Sequence, residues 1–163
     1  MSRLENASVR RVRNALVSAG LEDRVIELAE TARSAQDAAD SIGCELGAIV
    51  KSLVFAVNGH AVMALIAGDR QCDTSTLPTV LGLDGTCKRA DADLVREATG
   101  FAIGGVAPVG QATRLPIAID ASLRRFETVY AAAGHPHCVF PVSVAELVRL
   151  TGGTESDAIG MTR

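Results

Sequence analysis

The twelve residues from Thr99 to Gly110, TGFAIGGVAPVG, contain four glycines. Such a segment lets a substrate approach the backbone closely, and its N–H groups can converge on a carbonyl oxygen or a developing oxyanion. It matches neither common nucleotide loop, because GxxxxGK[ST] is absent and Gly104-Gly105 leads to Pro108 and a predicted strand, not to a helix. The local sequence leaves two interpretations open: a substrate-binding loop, or a tight turn between two strands.

Lys51 is the second residue of chemical interest, because it interrupts the apolar run IVKSLVF of a predicted strand. Its ammonium could bind a phosphate or a carboxylate of a ligand. It could also be an edge lysine that only discourages pairing with another strand. The sequence position alone does not decide between these roles.

The segment GHPHC, residues 134–138, places two histidines close to a cysteine. Pro136 prevents helical spacing and no second cluster supplies further ligands, so a metal site is not predicted. His135 is interpreted either as part of a pocket wall or as part of a solvated turn. Asp120 ends the apolar run LPIAI, where it could orient a ligand amine or cap the turn at Ala121-Ser122.

No GxSxG, HExxH or Cys–His arrangement marks a protein nucleophile. The four cysteines are spaced too widely for a CxxC site and are expected to be reduced, mostly within the core. If the protein is a hydrolase, water is therefore the expected nucleophile, and the protein supplies positioning and electrostatics.

The composition sets limits on size and partners. With 163 residues, 48% of them hydrophobic and 3% aromatic, the chain is expected to form one domain with an aliphatic core. Its net charge of −3 opposes a general affinity for nucleic acid but allows recognition of one RNA end. No apolar run reaches the ~20 residues that span a bilayer, and no signal core follows the basic N-terminus. We expect a cytoplasmic protein that binds no membrane.

The elements that must position these residues include one clear hairpin. In IVKSLVFAVNGHAVMALIAG, two apolar runs are joined by Asn58-Gly59, the pair favoured in a type I′ turn, which predicts strands at 50–57 and 60–67. In each run the residues on both faces of the predicted strand are apolar, so the hairpin is expected at the centre of the sheet.

The other predicted elements surround this hairpin. They are a helix from a Ser8 cap to Gly20, a strand at 25–28, a helix opened by Thr31, a helix capped by Asp73 or Thr74 that runs through Leu77, Val80 and Leu81, a helix capped by Asp91, strands in LPIAID, ETVYAAAG and HCVFPV, and a helix with capping-box residues Ser143 and Glu146. Without a βαβ rhythm, this order predicts an α+β fold with a central mixed, mainly antiparallel sheet flanked by helices. We expect a single domain at 1–153 and a weakly ordered C-terminal tail at 154–163.

The order of these elements, with IVKSLVF paired with TGFxxGGVxPxG, closely resembles the YbaK/prolyl-tRNA-synthetase-associated family over about residues 25–153. Its members are single-domain aminoacyl-tRNA deacylases, including ProX-like trans-editing proteins, related to the editing insertion of bacterial prolyl-tRNA synthetase. The resemblance implies the same editing-domain fold. It also implies hydrolysis of the ester between a wrong amino acid and the terminal ribose of a tRNA.

The resemblance further implies which residues act. Lys51 is matched to a strand lysine that contacts the acceptor end or its phosphate, and Gly104 and Gly105 to a catalytic loop beside the aminoacyl carbonyl. Water, aided by a ribose hydroxyl of the substrate, is the implied nucleophile. The implied substrate-binding residues are Ser52, Val106, Pro108, Asp120, Gly134 and His135. Neither a metal nor a cofactor is implied.

The implied substrate is tRNA(Pro), or a related tRNA, carrying a small amino acid such as Ala, Cys, Ser or Thr. The implied partners are the acceptor end of this aminoacyl-tRNA and prolyl-tRNA synthetase or another synthetase. One alternative stays open: a non-catalytic module of the same fold that binds tRNA or a synthetase. Specific DNA binding is not expected, since the chain is acidic and lacks a helix-turn-helix signal.

Overall fold

The structure is a computed structural model that describes residues 2–29 and 33–162. Its helices are α1 (Ala7–Ser18), α2 (Ala35–Ile42), α3 (Leu77–Val80), α4 (Ala92–Thr99) and α5 (Val144–Thr151). Its strands are β1 (Ile26–Glu27), β2 (Ile49–Val57), β3 (His60–Ala67), β4 (Arg70–Cys72), β5 (Cys87–Arg89), β6 (Ile117–Asp120), β7 (Val129–His135), β8 (Cys138–Val142), β9 (Thr154–Ser156) and β10 (Gly160–Thr162). Short 3₁₀ turns cover Arg3–Glu5, Leu46–Ala48 and Ala121–Arg125.

One mixed sheet organises the domain. Its strand order is β1-β8-β7-β2-β3-β6-β9, and β5 also pairs with β2. The β7/β2, β3/β6 and β6/β9 pairs are parallel, whereas the other pairs of this sheet are antiparallel. A separate antiparallel pair joins β4 to β10. The predicted α+β domain with a mixed, mainly antiparallel sheet is confirmed.

The central hairpin forms as predicted. Val57 pairs with His60, and the intervening Asn58 and Gly59 have φ values of 51° and 78°, as a two-residue type I′ turn requires. The first strand begins one residue earlier than expected, at Ile49. In the sheet order the hairpin is central, which also agrees with the prediction from its apolar residues.

The helix caps follow the predicted chemistry with three differences, one of which is that α3 begins after Thr76 and not after a cap at Asp73 or Thr74. α1 begins after Asn6, whose Oδ1 accepts a hydrogen bond from the N–H of Ser8, so Ser8 is not its cap. Asn is as effective an N-cap as Ser, so the helix can begin two residues earlier than predicted. α2 begins after Ser34. The predicted opening residue Thr31 lies outside the described residues.

The C-terminal segment forms two strands, so the prediction of a weakly ordered tail is wrong. β9 pairs with β6, β10 pairs with β4, and Ile159 between them is fully buried. Each strand has only three residues, too few to show an alternating pattern, and its partner lies far away in the sequence. Pairing with distant strands orders a segment whose local sequence is weakly structured.

The two faces of the sheet carry separate hydrophobic clusters. Val12 of α1, Val95 of α4 and Leu147 of α5 belong to the cluster on one face. Leu77 of α3 and Ile159 belong to the cluster on the other face. The longest helix among the described residues, α1, has 12 residues, and no described helix is long and apolar enough to cross a membrane.

Candidate functional site

A cavity of about 770 Å³ opens beside β2. Its walls come from seven parts of the fold: the start of α2, β2, β4 with the nearby Thr74, β5, α4, the glycine loop, and the β7–β8 hairpin. The lining includes the polar or loop residues Arg33, Lys51, Ser52, Cys72, Cys87, Arg89, Ile103, Gly104, Val106 and Pro136, and the aliphatic residues Val50, Val54, Ala90 and Val95.

The cavity occupies a gap along one edge of β2. β3 covers the opposite edge over residues 50–57. On the cavity side, β7 pairs with β2 only at 49–50, and β5 pairs only at 55–57. Within the described part of the chain, residues 51–54 therefore have no strand partner on this side, and of their main-chain groups there the oxygen of Val54 accepts a hydrogen bond from the N–H of Ala90 just beyond β5. A ligand can reach the edge of the central strand at this point.

Ser52 lies in the middle of this gap. The two-residue turn makes Val57 and His60 a hydrogen-bonded pair, and such pairs alternate along antiparallel strands. The peptide N–H and C=O of Ser52 consequently point away from β3, into the gap. Ser52 Oγ is buried and has no hydrogen-bond partner among the described residues. Leaving a buried hydroxyl unpaired costs about 1–3 kcal/mol, which a ligand with a matching polar group would recover.

Lys51 lines the same cavity with a half-buried side chain. Its Nζ donates a hydrogen bond to the main-chain oxygen of Arg70, the first residue of β4. This contact directs the ammonium across the face of the sheet toward β4 and does not leave it extended into solvent. The cavity wall therefore carries a positioned cation that can attract a phosphate or a developing negative charge.

The glycine loop reaches the cavity through Gly104 and Val106. Gly104 has a φ of 96°, and a Cβ there would meet only Pro136 Cγ, at 3.6 Å. Gly105 faces the protein: a Cβ on it would lie 3.0 Å from the backbone of both Gly134 and His135. Gly104 thus leaves the backbone open at the cavity, whereas Gly105 allows the loop to pack closely against the β7–β8 hairpin.

Several of the predicted site residues do not line the cavity. These are Gly105, Pro108, Asp120, Gly134 and His135. Pro108 is buried in the loop, and Gly134 packs against α1, since a Cβ on it would lie 2.7 Å from the carbonyl oxygen of Ser8. The structure brings together Lys51, Ser52, Gly104 and Val106.

Asp120 takes the second of the two roles open to it from the sequence. It is 1% exposed, and its Oδ1 accepts a hydrogen bond from the N–H of Ser122, which caps the following 3₁₀ turn. Its Oδ2 accepts one from the N–H of Ala67 at the end of β3. One carboxylate oxygen thus caps the turn and the other joins β6 to β3, so Asp120 is placed as a structural residue.

His135 also has a local partner. Its Nδ1 accepts a hydrogen bond from the N–H of His137, and the two rings lie 5.3 Å apart. Burial, and next the proximity of His137, lower the pKa of His135 below its ordinary value of 6.5. A neutral imidazole bound to the hairpin turn fits this position, and it is Pro136, the next residue, that contacts the cavity.

Two cysteine thiols line the cavity, although the sequence showed no motif around them. Burial raises the pKa of Cys72 to about 12, and burial also raises the pKa of Cys87 above its ordinary value of 9.0. A thiol acts as a nucleophile only as the thiolate. Both thiols therefore stay protonated at neutral pH and act as small apolar wall groups.

Three exposed residues at the cavity were not predicted from the sequence. Arg33 and Arg89 are exposed and line the cavity together with Lys51. Ile103, in the glycine loop, is 62% exposed. Isolated exposed residues of these types carry no periodic signal in a sequence, so only the folded chain brings them together.

The donor set of this cavity does not suggest a metal centre. Over residues 2–29 and 33–162, no three His, Cys, Asp or Glu side chains are grouped so that they could hold a metal ion. What the cavity offers is an ammonium group, a buried hydroxyl, bare peptide groups and small apolar walls. This combination can bind a polar, negatively charged group next to a small apolar one.

Comparison with known proteins identifies the family of this chain. Residues 29–150 match the model of the family described as aminoacyl-tRNA editing domain. A crystal structure of a protein described as a candidate trans-editing enzyme for prolyl-tRNA synthetase aligns with a TM-score of 0.88 and 40% sequence identity, covering 95% of this chain and 98% of that one. The resemblance stated from the sequence is confirmed.

Two curated relatives extend the comparison. The uncharacterised protein YwhH of Bacillus subtilis is 32% identical over 141 residues, which cover 86% of this chain and 88% of that protein. The proline–tRNA ligase of Kosmotoga olearia is 35% identical over 105 residues, which cover 63% of this chain but only 18% of the ligase. This chain thus corresponds to a small part of the ligase and to most of YwhH. The protein belongs to the aminoacyl-tRNA editing domain family.

Proposed function

We propose that this protein is a trans-editing aminoacyl-tRNA deacylase. It hydrolyses the ester that joins a wrongly attached small amino acid to the terminal ribose of tRNA(Pro) or a related tRNA. The observation that carries the proposal is that Lys51 and Gly104, far apart in the sequence, line one cavity. Family membership supports the same reaction class.

In the proposed reaction a water oxygen attacks the ester carbonyl carbon, and the bond from that carbon to the ribose oxygen breaks. The water proton passes to the departing ribose oxygen, assisted by the neighbouring ribose hydroxyl, and the products are a free amino acid and a deacylated tRNA. Negative charge develops on the carbonyl oxygen during attack. The bare backbone at Gly104 and the ammonium of Lys51 are the groups that stabilise this charge on the carbonyl oxygen.

Water is the proposed nucleophile because the side chains at the cavity offer no better one. The thiols of Cys72 and Cys87 are kept protonated by burial. Ser52 Oγ has no basic side chain bonded to it among the described residues, so nothing there removes its proton. Its proposed role is to donate a hydrogen bond to a polar atom of the aminoacyl group.

The proposed preference for a small amino acid follows from the cavity walls. Val50, Val54, Ala90, Val95 and Val106 form an aliphatic lining. The volume of about 770 Å³ must hold the terminal nucleoside as well as the amino acid. Because binding separates similar apolar side chains by only ~1–3 kcal/mol, exclusion of larger groups is the effective way to select a small error.

The tRNA is proposed to reach the cavity through its acceptor end alone. The chain has a net charge of −3, which opposes a general affinity for the whole RNA molecule. Arg33 and Arg89 lie at the cavity opening, where they can pair with the phosphates of the single-stranded terminus. Prolyl-tRNA synthetase, which contains a related segment, is the proposed protein partner, and charged tRNA would place the reaction in the cytoplasm.

One experiment separates this proposal from a non-catalytic module of the same fold. Gel shift and ester loss are measured in parallel on tRNA(Pro) charged with alanine, cysteine, serine or threonine. A deacylase shortens the half-life of at least one ester below its value in buffer. Binding to tRNA or to the synthetase without any faster ester loss would favour the binding module instead.

A further inference from the structure

Arg11, near the start of α1, holds both ends of the glycine loop. Its Nε donates a hydrogen bond of 2.8 Å to the carbonyl oxygen of Gly110, and its Nη2 donates one of 2.9 Å to the carbonyl oxygen of Thr99. Between these contacts the guanidinium lies over the ring of Phe101, 4.5 Å from its centroid. One side chain from another element thus closes the loop at its base.

The loop has little hydrogen bonding of its own. From residue 101 to 110 it contains neither helix nor strand, and among the described residues its main-chain groups make one internal bond, from the N–H of Gly105 to the oxygen of Ala102. Its base is also joined by a bond from the N–H of Ala112 to Thr99. The loop is also held by side-chain bonds from Thr99 to Phe101 and from Gln111 to the oxygen of Ala107, and by burial of four of its residues in the core. The two bonds from Arg11 join both ends of the loop to α1.

Two glycines make room for this contact. A Cβ on Gly100 would lie 2.5 Å from Arg11 Nη2, and a Cβ on Gly110 would lie 3.3 Å from the main-chain oxygen of Arg11. Gly134 fits against the preceding turn of the same helix. The glycine pattern thus accommodates α1 as well as a substrate, and α1 precedes residues 29–150, the part that matches the family model.

We propose that Arg11 is a positioning residue for the cavity: by fixing the carbonyls of Thr99 and Gly110, it sets where Gly104 meets the substrate. This inference rests on the proposed function for its kinetic part. Because a displacement of about 1 Å can cost up to ~10²-fold in rate, loss of the Arg11 contacts is expected to lower kcat. KM should change little, because Arg11 does not line the cavity.

The test combines two readouts on Arg11→Met, which keeps the apolar stem but removes the donors. Amide hydrogen exchange of the uncomplexed protein is expected to be faster in residues 101–110 and unchanged in the central hairpin. In deacylation, kcat is expected to fall about 10-fold with KM within about twofold. Arg11→Lys, which keeps the charge over Phe101 but not the two-pronged contact, should fall between wild type and Arg11→Met.

Arg10→Met is the matched control, since Arg10 is on the same helix and exposed. This variant should have the same amide hydrogen exchange in residues 101–110 and the same kcat as wild type. Unchanged loop exchange in Arg11→Met, or a kcat within twofold of wild type, would overturn the proposal, as would an equal effect of Arg10→Met. A wild-type protein that hydrolyses no mischarged tRNA would overturn the proposed function, while faster loop exchange in Arg11→Met would still support the Arg11 contact itself.

Discussion

Lys51 Nζ and the main-chain oxygen of Arg70 are joined by a hydrogen bond that links the first half of β2 to the start of β4. The acceptor belongs to the backbone of the segment that follows the central hairpin. The long side chain of Lys51 is already ordered before a substrate enters, which reduces the entropy lost on binding. A positioned cation of this kind suits a role in stabilising charge during ester hydrolysis.

Lys51→Ala is therefore expected to slow deacylation by ~10²-fold or more, the scale of losing a charged transition-state contact. Single-turnover ester loss measures the effect. Lys88→Ala is the control, because Lys88 is exposed on β5 close to the cavity strand but does not line the cavity. An unchanged rate in Lys51→Ala would remove Lys51 from the mechanism.

Ser52→Ala tests the buried hydroxyl at the gap in the sheet. If Ser52 Oγ binds the aminoacyl group, its loss should lower kcat/KM about 10-fold, the equivalent of one hydrogen bond. Ser122→Ala is a close control: Ser122 Oγ is likewise buried without a partner among the described residues, but Ser122 is not at the cavity. Equal kinetic effects of the two substitutions would argue against a substrate contact at Ser52.

Gly104→Ala separates backbone strain from function. Gly104 and Gly82 both have a positive φ, 96° and 70°, and a Cβ would meet nothing closer than Pro136 Cγ at 3.6 Å on Gly104 and nothing within 4 Å on Gly82. Each alanine should cost about 1 kcal/mol of unfolding free energy in denaturant titration. Only Gly104→Ala places a methyl group at the cavity wall, so it alone should slow deacylation. Comparable losses of activity in both variants would point to a general effect of stability.

Arg89→Ala tests how the RNA end is held. Removing one phosphate contact should raise KM several-fold, leave kcat nearly unchanged, and reduce the slope of log affinity against log salt by about one. Arg114→Ala, another exposed arginine that lies away from this cavity, should alter neither quantity. A salt slope that is the same for Arg89→Ala and wild type would exclude Arg89 from the RNA contact.

The stability of α5 is expected to depend on pH through Glu146. Its Oε1 accepts hydrogen bonds from the N–H of Ser143 and from Arg24, and the Ser143 bond is the main cause that lowers the pKa of Glu146 below 4.5. The ionised carboxylate therefore stabilises the folded protein above about pH 4.5, and this contribution is lost as the pH falls through the lowered folded-state value.

Glu146→Gln is the variant that measures this contribution. It should reduce the unfolding free energy at pH 7 by about 1 kcal/mol, and the difference from wild type should shrink at pH 3. Urea titrations at both pH values provide the measurement. A difference that grows toward acid would contradict this assignment.

Local chemistry made part of the fold predictable. The Asn58-Gly59 turn and the Ser143–Glu146 capping box depend on residues close together in the sequence, and both were predicted at the correct positions. The strands at 87–89 and 160–162 were not, because each has three residues and pairs with a strand far along the chain. Their formation is decided by tertiary contacts that no local pattern records.

The site was predictable to the same limited extent. Lys51 and Gly104 stand out by residue type, and the resemblance to the family joined them before their positions were known. Arg89 carries no such signal, since an exposed arginine on a short strand looks like ordinary surface. Asp120 was ambiguous because a carboxylate at the end of a strand suits a ligand and a turn equally, and only its two backbone donors distinguish these roles.

The most direct measurement is the rate of ester loss from tRNA(Pro) charged in turn with alanine, cysteine, serine, threonine and proline, with the wild-type protein in excess over tRNA. Hydrolysis well above the buffer rate is expected for at least one of the small, wrong amino acids, with prolyl-tRNA(Pro) left largely intact. Rates equal to the buffer rate on every charged tRNA would contradict the proposal that this cavity hydrolyses aminoacyl esters.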